Sequence, residues 1–342
     1  MVEGATQSGM RANIKDVSSA AGVSIKTVSR VINNERYVRP ATRARVEAAM
    51  AALGFRPSAA ARALAGGRAF QIALMCSNPG PYYLHGLIAG LRGRCATERV
   101  QLVVHAYERD ADEPGADVRS LLRQMNPDGV VLTPPIADDL AVLDALERAG
   151  TPHVRISPGV AADRTPAVAI DNEAAARDMT QALIELGHRR IGFVVGHRAY
   201  GVSSHRLAGY LDALRAAGIA LDLDLVQQGA FDVPSGRAAG ERLLALAEPP
   251  TAIFASSDDM AAGVLAAANR AGVAVPGRLS VAGFDDTPLA EALWPPLSTV
   301  RQPIPELAAQ AADLLFTHAA PGLRIIPHRL VMRESSAACP AA

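Results

Sequence analysis

The 342 residues are 49% hydrophobic and 20% charged, enough for two or three domains with a sizeable core and unlike a disordered chain. No eighteen-residue apolar run offers a membrane span, the opening lacks a signal peptide's apolar stretch, and Cys76, Cys95 and Cys339 have neither metal-ligand nor disulfide spacing, which fits a reduced cytoplasmic setting. The balanced total of 34 basic and 34 acidic side chains hides a split: residues 1–68 hold 11 Lys+Arg against 4 Asp+Glu, about +7, leaving about −7 for the rest, as expected of a nucleic-acid-binding module on an acidic body.

Residues 1–12 read as a disordered tail and 13–57 as a helix-turn-helix DNA-binding domain. Asn13 is placed to cap a first helix, with Asp16 at its third position favouring the positive end. Ile14, Val17 and Ala21 share one face, Gly22 permits a sharp turn, and Ser24 caps a second helix carrying Val28, Val31 and Ile32. Laid in a major groove by its N-terminal residues, that second helix brings Ile25, Lys26 and Arg30 to base edges. Lys and Arg donate to guanine acceptors, and Ile25 packs on a thymine methyl. Ser24, Thr27, Ser29 and Asn33 are short donors suited to phosphates, which set register without reading sequence.

Residues 58–68 form an alanine-rich link ending in Gly66, Gly67 and Arg68. Beyond it, apolar runs at 71–76, 102–105, 129–132, 153–156, 168–170, 191–195, 252–255 and 280–283 read as strands buried on both faces. Helical patterns alternate with them at 84–97, 118–124, 139–149, 172–186, 205–217, 236–247, 258–271 and 304–317, which argues doubly wound parallel sheets, too many units for one. The body lacks a GxGxxG fingerprint, a P-loop, His-Glu-x-x-His, Cys-x-x-Cys and a Gly-x-Ser-x-Gly elbow, so neither enzyme chemistry nor a cofactor or metal is expected.

The strings Ile14-Lys-Asp-Val, Ala21-Gly-Val-Ser, Thr27-Val-Ser-Arg-Val and Leu53-Gly-Phe-Arg-Pro-Ser closely resemble the LacI/GalR family of repressors, and the likeness runs over roughly 13–335. It implies an α + α/β protein: a three-helix headpiece whose third helix is 40–53, a hinge helix, and a two-lobed core like that of periplasmic sugar-binding proteins. The core is expected over 69–335, with an N-lobe of about 70–169 plus 302–320, a C-lobe of about 170–300 plus 325–335, and a tail at 336–342. Arg39 departs from the family's usual hydroxyl cap before Pro40. Tyr37 and Thr42 match backbone-contacting positions. In the link, too short to hold a helix alone, Leu64 matches the leucine wedged into the minor groove, beside Ala61.

For the body, the resemblance assigns a cleft at the strands' carboxyl ends. Gly192-Phe-Val-Val-Gly followed by Ser204-His-Arg-Leu-Ala-Gly-Tyr marks Arg206 as the residue gripping the effector, and Ser280-Val-Ala-Gly-Phe-Asp-Asp-Thr marks Asp285 as its partner. Phe231 matches a stacking position. Ser257 stands where the family commonly has Asn, and Ser77, Tyr83, Thr133 and Ser157 match pocket positions on the other lobe. Acid, arginine and aromatic together favour a carbohydrate effector, with a purine or other small metabolite as the alternative. The partners implied are palindromic double-stranded operator DNA and a second copy of the chain, since two headpieces read two symmetric half-sites. The end, Ser335-Ser-Ala-Ala-Cys-Pro-Ala-Ala, has no heptads, so a homodimer is expected rather than a tetramer. A solute-binding receptor shares the body's fold, but it requires a signal sequence and has no headpiece.

Overall fold

A computed structural model describes residues 12–32, 35, 37–55, 69–77, 80–107 and 115–340. The expected tail, save its last residue, lies outside them, as do Asn33 and the 58–68 link with Ala61 and Leu64.

The headpiece is three helices, α1 (Ile14–Ala21), α2 (Ile25–Ile32) and α3 (Pro40–Ala52). A reciprocal cap opens α1: Asn13 Oδ1 accepts from the Lys15 amide at 2.8 Å, and Asp16 Oδ2 accepts from the Asn13 amide at 2.8 Å. Gly22 ends the helix in the left-handed region, φ 60°, where a side chain is strained. Val17, Val28 and Val46, one from each helix, are fully buried and form the centre of a small core completed by Ala21, Val31 and Ala49. Arg39 makes no side-chain cap before Pro40, as its departure from a hydroxyl implies.

The body, described by itself, contains two six-stranded sheets. The first, in order β11-β5-β4-β3-β1-β2, is parallel throughout: β1 (Gln71–Cys76), β2 (Gln101–Ala106), β3 (Gly129–Leu132), β4 (His153–Ile156), β5 (Pro166–Ala169) and β11 (Gly322–Ile325). The second runs β12-β10-β9-β8-β6-β7, with β6 (Ile191–Val195), β7 (Val226–Gln228), β8 (Ala252–Ala255), β9 (Ser280–Asp285), β10 (Ser298–Arg301) and an antiparallel edge, β12 (Arg329–Val331). The central strands are buried from end to end, the signature their apolar runs carry. Around the first sheet lie α4 (Pro81–Glu98), α5 (Ala116–Met125), α6 (Leu140–Arg148) and α12 (Ile304–Phe316). Around the second lie α7 (Asn172–Glu185), α8 (Gly201–Ala216), α9 (Val233–Leu244), α10 (Asp258–Arg270) and α11 (Pro288–Ala292). The chain passes between lobes three times, after β5, after β10 and after β11.

Several boundaries differ from expectation. β5 lies at Pro166–Ala169 rather than 168–170, and β9 runs two residues further, to Asp285. α8 starts four residues early at Gly201, because its first turn is partly exposed and carries no apolar repeat. β7, β10, β11 and β12 were not expected as strands; β7, β11 and β12 are edge strands whose side chains are mostly half-buried or exposed, and the buried β10 opens on Ser298 and Thr299, so no apolar run marks any of them. Since β11 pairs with β5, residues 322–325 belong to the first lobe, and the C-lobe's last piece begins after Ile325. The expected tail is also corrected. Its described residues are held on the second lobe: the Ala337 amide donates to Ser280 Oγ at 3.1 Å, and the Cys339 amide donates to the Leu186 carbonyl at 2.7 Å.

Candidate functional site

Helix α2 has two unlike faces. Val28 and Val31 point into the headpiece core, while Ile25 is 44% exposed and Lys26 and Arg30 are exposed beside it. Ser24 Oγ accepts from the Thr27 amide at 3.2 Å and lies 2.9 Å from Thr27 Oγ1, so both hydroxyls close the helix start. Arg30 Nε sits 3.5 Å from Glu35 Oε2, an exposed pair worth little in water and easily exchanged for another acceptor. Ser29 and Thr42 are half-buried, and Tyr37 is 96% exposed, an aromatic ring with no covering on so small a unit.

The second candidate is a cavity of about 350 Å³ in the body, at the carboxyl ends of the strands and with walls from both lobes. Its floor is set by α8. Tyr210 stacks on Phe193 of β6 at 4.7 Å and donates to the Ile191 carbonyl at 2.8 Å, fixing the helix's rotation. One turn earlier on the same face, Arg206 is therefore carried into the cleft. There Nε donates to Asn172 Oδ1 at 2.9 Å, Nη1 donates to the Ser256 carbonyl at 2.5 Å, and the guanidinium lies 3.5 Å from the Phe284 ring centroid. Nη2 has no protein acceptor among the described residues.

Asp285 ends β9 with φ 117°, a conformation L residues avoid, and so projects at the cavity wall. Its Oδ1 accepts from Gln302 Nε2 at 2.5 Å and lies 4.0 Å from Arg206 Nη1. Burial pushes its carboxyl up to about 7, against the lowering pull of Arg206 and Gln302. The neighbouring Asp258 is spent on structure: Oδ2 accepts from the Thr287 amide at 2.8 Å and Oδ1 from Thr299 Oγ1 at 2.6 Å. Burial and then the Asp285 charge hold it well above the usual carboxylate range.

Of the eight residues expected here, Tyr83, Ser157, Arg206, Phe231, Ser257 and Asp285 line the cavity. Two do not. Thr133 is fully buried and donates to the Met75 carbonyl at 3.2 Å, and Ser77 contributes only a carbonyl, which accepts from Tyr200 Oη at 3.4 Å. Ser257 also caps α10, accepting from the Met260 amide at 3.2 Å. Gln302, Tyr200, Asp232 and Asp259 line the cavity without having been expected. The Asp258–Asp259 pair was a visible signal, but which member faces the cleft depends on the helix's phase.

The lobes also meet at the cavity's rim. Asp138 Oδ1 accepts from the Gly159 amide at 2.7 Å, and its Oδ2 accepts from the Gly201 amide of the opposite lobe at 3.3 Å. The two glycine backbones touch: a Cβ on Gly159 would stand 2.4 Å from the Gly201 Cα. Fully buried Arg155 holds this rim in shape, donating to the Ala137 carbonyl at 3.1 Å, the Val160 carbonyl at 2.9 Å and the Ala161 carbonyl.

Among the described residues no helix is long and apolar enough to cross a membrane, and no group of three His, Cys, Asp or Glu is placed to hold a metal ion. A family model for bacterial regulatory proteins of the lacI family matches residues 13–58, and one for a periplasmic binding protein-like domain matches 180–336. The HTH-type transcriptional regulator CelR of Thermobifida fusca is 36% identical, with 95% of this chain and 98% of that one covered. A CelR–cellobiose complex matches with a TM-score of 0.72 at 34% identity, over 95% of this chain and all of the other. The lac repressor dimer bound to operator and the anti-inducer ONPF matches with a TM-score of 0.83 at 28% identity, over 96% and 100%.

Proposed function

The chain belongs to the lacI family of bacterial regulatory proteins, and from that premise we propose that it is a homodimeric repressor whose grip on a palindromic operator is set by a carbohydrate bound between the lobes. Ile25, Lys26 and Arg30 read bases; Ser24, Thr27, Ser29, Asn33, Tyr37 and Thr42 hold the phosphate backbone; Ala61 and Leu64 enter the minor groove at the centre. Within the 69–335 core, the effector lies against Arg206, Asp285, Phe231, Ser257, Tyr83 and Ser157. The observation that carries this reading is the pairing of Arg206 with Asp285 at 4.0 Å in a cleft also lined by Tyr83, Tyr200 and Phe231. A planar fork of donors, an acid and flat apolar rings suit the hydroxyls and C–H faces of a sugar. The sugar named with the CelR complex, cellobiose, is the natural first probe.

Coupling between two sites is reciprocal, so operator DNA must change the affinity for effector by the factor by which effector changes operator binding. Cellobiose affinity is to be measured on the full chain with and without a palindrome selected from random duplex. A shift of the order of 5–150-fold is expected; equal affinities in the two arms would overturn the coupling.

Base reading makes a separate prediction. Lys26→Ala and Arg30→Ala should each cost about 1–3 kcal/mol on the selected palindrome and far less on random duplex. Competition binding at fixed salt checks this. A loss equal on all duplexes would reassign either residue to the phosphates.

A further inference from the structure

Among the described residues four charged side chains line the cavity, Arg206, Asp232, Asp259 and Asp285, and their balance is acidic. Arg206 faces Asp285 and covers the Phe284 ring, so its charge is answered locally. Asp232 and Asp259 have no cation within ion-pair reach among the described residues. Asp232, exposed at the mouth, accepts from the Ser235 amide at 2.8 Å and caps α9. Asp259, in the first turn of α10, accepts from no described residue other than its own backbone amide, and burial followed by the Asp232 charge pushes its carboxyl up against that bond. Its Oδ2 stands 3.0 Å from where a Cβ on Gly80 would be, so the carboxylate reaches the opposite lobe's wall. An independent sign of a ligand comes from that lobe. Ser157, 4% exposed, lines the same cavity, and its Oγ is buried with no partner. Native proteins seldom leave such a group unanswered.

Resting on the reading of this cavity as the effector site, we infer that the effector is a carbohydrate bearing a basic nitrogen, with an ammonium between Asp232 and Asp259 and a hydroxyl on Ser157. A neutral sugar closing over Asp259 strips water from an ionised carboxylate and returns only neutral hydrogen bonds. An ammonium returns charge-assisted ones and relieves the repulsion between the two acids. The two helix starts favour the ionised carboxylates, so the demand for a cation persists.

Matched disaccharides test this by calorimetry on the full-length protein: cellobiose, the β-1,4-linked glucosamine disaccharide, and the same compound N-acetylated. At a pH where the amine is charged, the glucosamine disaccharide is expected to bind at least about tenfold tighter than cellobiose, and acetylation to abolish the gain. D259N should bring the affinity ratio close to one. D232N should do so too, and asparagine preserves the helix cap; unchanged melting of the two free variants separates this from misfolding. Cellobiose binding as tightly as the amine, or a ratio unmoved in both variants, overturns the inference while leaving a sugar-binding site. Binding of none of the three overturns both.

Discussion

An Arg206→Ala variant is expected to lose roughly a hundredfold or more in effector affinity and to stop releasing or gaining operator when effector is added. The size follows from how many groups lean on one side chain. Arg206 satisfies Asn172 Oδ1 and the Ser256 carbonyl, covers Phe284, and is the nearest cation to Asp285. Removing one member of a buried ionic pair typically costs 3–5 kcal/mol, because the survivor is left charged and unsolvated. Asp285 has an escape, since burial already holds its carboxyl up at about 7. A carboxyl raised in the folded state contributes stability that is fully present below its unfolded value and is lost as pH rises through the folded one. Without Arg206 that value climbs further, so the variant's melting deficit should grow between about pH 5 and pH 8. Melting curves across that range, with a cellobiose titration at each pH, check both halves. A deficit flat in pH would mean that Asp285 does not depend on Arg206.

What could be read in advance was what is written locally. The headpiece was legible because Asn13 with Asp16, Gly22 and Ser24 each act within a few residues of themselves. Strands β1, β3, β6 and β8 were legible because burial on both faces leaves an almost unbroken apolar run. The edge strands β7 and β11 have no such run, since one side of each faces solvent. Arg206 and Asp285 sat in strings long enough to be placed. Thr133, matched only as a single pocket position, does not line the cleft, because after β3 its hydroxyl turns back to the Met75 carbonyl of the neighbouring strand. Gln302 and Asp259 were missed for a different reason. Which side chains share a cleft depends on how the loops of two lobes face each other, and no window of sequence contains that.

Gly201→Val is expected to weaken effector binding by about 10–100-fold with little effect on the free protein's melting. Neither Gly201 nor Gly159 lies in the left-handed region, so conformational freedom is not what either supplies. They supply closeness. A Cβ on Gly201 would stand 2.5 Å from the Gly159 Cα and 2.8 Å from Asp138 Oδ2, and at least the first of these is backbone that has no rotamer to yield. Arg155 stiffens the rim from behind, so the Gly159 loop has little room to retreat. The clash therefore exists only while the lobes are this near, and it vanishes when they separate. A valine at the first position of α8 costs each lobe little by itself, which is why stability should survive. The closed population falls, and apparent affinity falls in proportion to it. Asp138→Ala, which removes the acceptor for both glycine amides without adding bulk, should act in the same direction but more weakly. Cellobiose titration of both variants beside their melting curves decides the point. A Gly201→Val protein that binds effector as tightly as the parent would show that ligand is held without this contact.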